Sequence, residues 1–131
     1  MEPGTRAHLL TANENGVFAT RLIDVDDQQS LPADLRWALV AAFYAAVHLV
    51  NAYLWEQRRI EPRNHDVRLL FVVMVSSLRP VASDYAHLQD LAYRARYHFG
   101  FRLPPGDARV ALTCMESIDR LVSGELSSGG V

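Results

Sequence analysis

The sequence predicts an all-α protein, an up-and-down antiparallel bundle of four to five helices. Three observations lead there. Apolar residues recur at helical spacing, and no stretch alternates with the period of a strand. Half of the 131 residues are hydrophobic, enough for one core of ordinary domain size. The breaks between helical stretches are short, which favours antiparallel neighbours.

The first helix is expected over Arg6–Asp24, with an apolar stripe through Leu10, Val17, Phe18 and Leu22; Gly16 weakens it slightly. A polar connection, DVDDQQSLP, follows over 24–32. The second helix, Asp34–Gln57, carries the run Trp37–Trp55, nineteen residues without an acidic or basic side chain. Glu61-Pro62-Arg63-Asn64 breaks the chain, because proline disfavours helix in the residue before it. Asn64 is the expected N-cap of a third helix, His65–Leu78, which Arg79-Pro80 ends. A fourth runs from Ser83, a cap candidate, to Phe99; 100–106 (GFRLPPG) is a turn; a fifth spans Asp107–Val122. The expected domain is 1–126, with a Gly/Ser-rich, frayed tail at 127–131.

The uncharged run nearly reaches the ~20 residues that cross a bilayer. His48 and Asn51 lie near its middle, and the other amphipathic helices would lose their partner if it left for a membrane. A helix apolar all round is otherwise one buried by its neighbours, and no membrane is expected. Its faces separate at 100° per residue. Val40, Phe43, Val47, Val50 and Leu54 form a core stripe, and Ala38, Ala45 and Ala52 a small-residue stripe that admits another backbone. Trp37, Ala41, Tyr44, His48, Asn51 and Trp55 form a polar-aromatic seam, which faces a partner subunit or lines a cleft.

Composition excludes some classes. Formal charge is −2, so the whole surface is not a nucleic-acid glove, and every basic side chain but histidine is one of 13 arginines. A single cysteine, Cys114, rules out an intrachain disulfide and a Cys-rich zinc site; a buried inert thiol is expected. MEPGTRAHLL lacks a basic-then-apolar signal pattern, so a cytoplasmic setting is expected. Strict alternation of helix direction would put nine arginines at one end: Arg6, Arg58, Arg59, Arg63, Arg68, Arg94, Arg96, Arg102 and Arg109. His8, His65 and His98 would join them, with Asp24, Asp26, Asp27, Asp34, Asp84, Asp119 and Glu125 at the other end. Such a basic end attracts phosphate, which arginine grips bidentately. Arg94 and His98 would share a helix face there.

The run WALVAAFYAAVHLVNAYL, then PRNHDVR, then DYAHLQDLAYRARYHF resembles the HEPN domains (higher eukaryotes and prokaryotes nucleotide-binding). The most specific parts are Tyr-Ala-Ala-x-His at Tyr44–His48, His-x-x-Arg at His65–Arg68, Tyr-x-x-Leu at Tyr85–Leu88 and Ala-Arg-Tyr at Ala95–Tyr97, and the resemblance covers Leu10 to Leu121. It implies a small all-helical bundle, often a homodimer, that binds RNA or a nucleotide. It further implies a metal-independent endoribonuclease of a toxin–antitoxin or phage-defence system, or a non-catalytic adaptor. Its partner chain would be an antitoxin or a nucleotidyltransferase.

The family's RNase hallmark is Arg, a polar residue, three to five more, then His. Arg58 and Arg59 precede His65 by suitable gaps, but Ile60 follows Arg59 and Pro62 intervenes; Arg94 and His98 are only four apart. The catalytic candidates are His65 and His98 for proton transfer, with Arg94. Arg58, Arg59, Arg63, Arg68, Arg96 and Arg102 are the phosphate or RNA contacts. Tyr44, His48, Asn51, Trp55 and Tyr97 are the cleft or dimer seam. A three-histidine metal site is the remote alternative: His48 and His87 would lie at similar heights, but the paired His/Glu spacing is missing. No metal and no cofactor are expected.

Overall fold

The computed structural model describes residues 1–24, 32–98, 102 and 106–129, and these residues form an all-α bundle. Its helices are α1 (Pro3–Asp24), α2 (Pro32–Arg58), α3 (His65–Met74), α4 (Ala82–Tyr97) and α5 (Asp107–Gly129), with a 3₁₀ turn at Arg79–Val81. The expected acidic connection, with Asp26 and Asp27, and most of the 100–106 turn lie outside the described residues.

α2 is the spine and touches every other helix. Its core stripe is buried as expected: Val40, Phe43, Val47, Val50 and Leu54 are at most 6% exposed. Side chains of that size contribute roughly 1.5–3 kcal/mol each when buried. Ala38, Ala45 and Ala52 are buried too, and let neighbouring backbones close on the helix. α2 is long and apolar enough to cross a membrane, yet most of it lies inside the bundle.

α1 lies antiparallel against α2. The Glu2 N–H and the Thr5 hydroxyl both donate to Glu56 Oε1, at 2.9 and 2.8 Å. Farther along, His8 meets His48. Gly4 permits the closest approach, since a Cβ there would sit 2.5 Å from the Trp55 indole nitrogen. The buried face of α1 is Thr5, Ala12, Ala19 and Ile23, not the stripe read from the sequence. Leu10, Val17 and Phe18 point outward at 62%, 41% and 50% exposure. Small residues win the inner face because the α1–α2 contact is made close to the backbone.

Where α2 ends, Arg59 takes a left-handed φ of 56°. Its guanidinium caps the helix by donating to the carbonyls of Trp55 and Glu56, and pairs with Glu2 at 2.7 Å. The chain then runs back beside α2 rather than turning tightly. Glu61 reaches His8, the partner of His48, and His65 lies against Phe43 and Tyr44. That climb covers about 14 residues of α2, or ~21 Å, close to the reach of seven extended residues. Burial of Pro62 and partial burial of Ile60 hold it there.

This path overturns the expectation of nine arginines at one end. α3 starts halfway along α2, and α4 runs antiparallel to α2. Tyr85 meets Phe43, while Ala95 and Arg96 share a cavity with Ala33, Arg36, Trp37 and Val40. Arg6, Arg58 and Arg59 therefore mark one end of the bundle, and Arg94 and Arg96 lie toward the opposite one. α5 returns along α4, bringing Cys114 beside Asp84; the thiol is buried and pushed up to about 11, mainly by burial.

Other boundaries shift for local reasons. Asn64 caps α3 as expected, accepting from the Val67 N–H at 2.9 Å. α3 stops at Met74, four residues early, and Leu78 is instead buried in the turn that follows. Ser83 lies inside α4, whose cap position holds Val81 without a side-chain hydrogen bond. α5 continues to Gly129, through the first part of the expected frayed tail, because Leu126 extends the buried row of Ile118 and Val122.

Ala52→Leu tests the close packing. Adding bulk at this fully buried site should destabilise the fold by about 1–3 kcal/mol. The urea midpoint should drop with the slope unchanged; an unaltered midpoint would show that α2 has room to spare.

Candidate functional site

Beyond Trp37, which is 61% exposed, the polar seam of α2 is largely covered by the chain itself. Arg68, from the first turn of α3, is buried at 6% exposure and reaches across it. Its Nε donates to Asn51 Oδ1 at 2.9 Å, Nη1 to His65 Nδ1 at 2.9 Å, and Nη2 to the Pro62 carbonyl at 3.4 Å. All three acceptors are neutral, and among the described residues no carboxylate pairs with it. A guanidinium with no counter-charge inside a protein raises the positive potential around it, because little water screens it.

His65 stands next to this charge, with its ring 4.9 Å from Phe43 and 6.3 Å from Tyr44. Arginine only donates, so His65 Nδ1 must accept and Nε2 carries the proton. Burial first, then the charges of Arg68 and Arg96, hold its pKa below the ordinary 6.5. His65 is thus a neutral N–H donor. Of the proton-transfer roles expected for it, accepting a proton at Nε2 would require the opposite tautomer.

Arg96 enters from the end of α4. Its Nη1 donates to the Tyr44 hydroxyl at 3.0 Å, and its charge lies 5.8 Å from the Tyr44 ring and 5.1 Å from the Tyr97 ring. His65 and Arg96 line one cleft of about 410 Å³, with Phe43, Asn64, Asp66, Ala86, Gln89, Asp90 and Tyr93. Three buried polar atoms lack a hydrogen-bond partner among the described residues: Arg96 Nε, Gln89 Oε1 and the Tyr85 hydroxyl. The first two belong to residues that line this cleft. The Tyr85 hydroxyl faces Arg68 without hydrogen-bond geometry, and burial pushes it up to about 12.

A second polar group joins α1 to α2. His8 Nδ1 and His48 Nδ1 are 2.9 Å apart, and His8 Nε2 is 3.2 Å from Glu61. The His48 pKa is lowered, first by burial and then by His8 and Arg68. His48 and Glu61 lie on opposite sides of the His8 ring, so the three do not converge on a point. Among the described residues no group of three or more His, Cys, Asp or Glu is placed to hold a metal, and the proposed metal partner His87 is exposed.

The sequence-predicted residues therefore divide. His65, Arg68, Arg96, Tyr44 and Asn51 come together. His48 and Trp55 are turned to α1, which makes this seam an internal contact. Arg94 is exposed and paired with Asp90 at 3.2 Å. His98 is exposed at the end of α4, edge-on to Tyr93. Tyr97 is exposed rather than part of the seam. Arg59 is spent on capping α2, and Arg58, Arg63 and Arg102 are exposed, away from His65 in the case of Arg58. Sequence reasoning missed Gln89, Asp90 and Tyr93; the i,i+4 pair Tyr93/Tyr97 was the available signal for the last. A larger groove of about 560 Å³ runs between α1 and α5 over Ala45, Leu49 and Met115, and holds none of the predicted residues.

A family model of the HEPN domain matches residues 30–125, well over half of the chain. No curated protein and no solved structure gives a significant match.

Two measurements check the electrostatics. His48 and His65 have folded pKa values below 6.5, so the unfolded chain binds more protons as pH falls past 6.5. Their share of stability is present above 6.5 and is lost as pH falls below it; urea midpoints should fall with pH there, less steeply in His48→Gln. A flat profile would contradict the burial of these rings. In Arg68→Met, NMR titration should show the His65 pKa rising toward 6.5, and an unmoved value would remove Arg68 as a cause.

Proposed function

The chain belongs to the HEPN domain family, and from that premise we propose that it binds RNA by gripping a backbone phosphate in the cleft between α3 and α4. The observation that carries this reading is the pairing of a proton donor with excess positive charge. His65 Nε2–H and Arg96 line the cleft, and the unneutralised Arg68 lies behind them. A phosphate oxygen can accept from His65 and from the guanidinium of Arg96, both of which line the cleft. Asp66 and Asp90 line the same cleft and oppose an anion, but Arg94 already pairs with Asp90.

Cleavage is a second reading, supported by the same cleft. Hydrogen bonds from the neutral His65 and from Arg96 can steady the developing phosphorane charge, while the departing oxygen takes its proton from water. The Asp66 carboxylate beside them can accept a proton. Such chemistry would be independent of metal, as expected of an endoribonuclease acting in toxin–antitoxin or phage-defence systems. The outward Leu10, Val17 and Phe18 of α1 support the adaptor alternative, in which this face meets a second copy, an antitoxin or a nucleotidyltransferase in the cytoplasm.

The test is fluorescence anisotropy with labelled RNA at low salt in EDTA. Wild type should bind, and Arg96→Ala should weaken binding about 10-fold or more, as expected for a lost charge-assisted hydrogen bond. His65→Ala should weaken it less. Binding that ignores Arg96→Ala would place the RNA elsewhere. Gel analysis of the same mixtures reads cleavage directly: RNA left intact by wild type, with binding normal, removes the second reading.

A further inference from the structure

We infer that Tyr93 and Tyr97 form a base-stacking subsite that makes the cleft selective for single-stranded RNA. The inference rests on the phosphate reading above and names the form of RNA it takes. The segment Tyr93-Arg94-Ala95-Arg96-Tyr97-His98 alternates aromatic and basic side chains around the end of α4. Its two tyrosines lie one helical turn apart, with ring centroids at 5.0 Å and planes tilted by 49°. Despite that mutual contact, Tyr93 is 52% and Tyr97 63% exposed. An i,i+4 aromatic pair formed only for helix stability would serve as well with its outer faces covered. Here both side chains stay more than half exposed, with Arg96 over the Tyr97 ring.

Position ties the pair to the phosphate cleft. Tyr93 is one of its walls, and Tyr97 continues outward from Tyr93. Arg96 links the two regions: one guanidinium holds Tyr44 at the cleft and lies 5.1 Å from the Tyr97 ring. The His98 ring packs edge-on against Tyr93 at 5.5 Å, which stiffens the pair. A strand whose phosphate sits at His65 and Arg96 would thus lay a neighbouring base on tyrosine. Every base has a π-face, so such a subsite tolerates sequence but requires unstacked bases. Duplex RNA keeps its bases inside the helix and offers only its backbone. Asp90, the one carboxylate on this stretch of surface that ion-pairs, is held by Arg94.

The experiment compares a labelled oligouridine with a duplex RNA of equal length on the full chain, by anisotropy. Wild type should favour the single strand at least 10-fold. Tyr97→Ala and Tyr93→Ala should each lower single-strand affinity by roughly 5- to 100-fold, the range for loss of one stacked base. The single-strand preference should fall toward one in these variants and be retained in Tyr97→Phe, which keeps the ring. Circular dichroism confirms folding, which exposed tyrosines should not disturb. If wild type binds both forms equally and Arg96→Ala weakens both, the stacking subsite is wrong and the phosphate reading stands. If wild type binds neither form, both are wrong. Alanine variants that match wild type on the single strand also overturn the stacking subsite.

Discussion

The guanidinium of Arg68 is the group on which the rest of this structure depends. It is buried and satisfied by three neutral acceptors that come from three places in the chain. Removing the acceptors would leave a buried donor unpaired, which costs more than the bonds themselves contribute. The acceptors therefore constrain one another. Asn51 fixes the rotation of α2, Pro62 fixes the connector, and His65 fixes the first turn of α3. Asn64 adds the cap that starts α3 at this point and not a residue later.

The same charge determines the chemistry of its neighbours. It forces His65 to accept through Nδ1, so Nε2 carries the proton. It disfavours a second proton on His65 and on His48, in both cases reinforcing burial. A buried arginine matched by a carboxylate would cancel its own field. This one does not, and the field extends into a cleft where Arg96 adds to it. The positive potential at this candidate site is therefore a consequence of how α3 is anchored, by the same interactions that hold the connector.

The connector links this anchoring to the arrangement of the whole bundle. Residues 59–64 climb beside α2, so α3 and α4 form their hairpin against the middle of the spine. A tight turn would have gathered the arginines at one end. Instead Arg59 closes the end of α2 with Glu2, while Arg96 travels with α4 to the aromatic side chains of α2 and α4. Charge that looked pooled in the linear order is divided between a structural clamp and a candidate binding surface.

The sequence by itself determined the helix order, the burial of α2 and the start of α3. These follow from local spacing: an unbroken apolar run with an alanine stripe, and an asparagine cap ahead of His-x-x-Arg on one turn. His65, Arg68 and Arg96 were legible as candidates for the same reason, since their types and register are local facts. Which face of α1 turns inward was not legible. Leu10, Val17 and Phe18 outrank Ala12 and Ala19 in hydrophobicity, but the close approach of Gly4 to Trp55 and of α1 to α2 selects small residues. The path of the connector was equally hidden, because its holds are His8 and Asn51, distant in sequence and meaningful only once α1 and α2 have packed. Tertiary structure thus decided which arginines meet a histidine, and it did so through nonlocal hydrogen bonds that no spacing within the segment encodes.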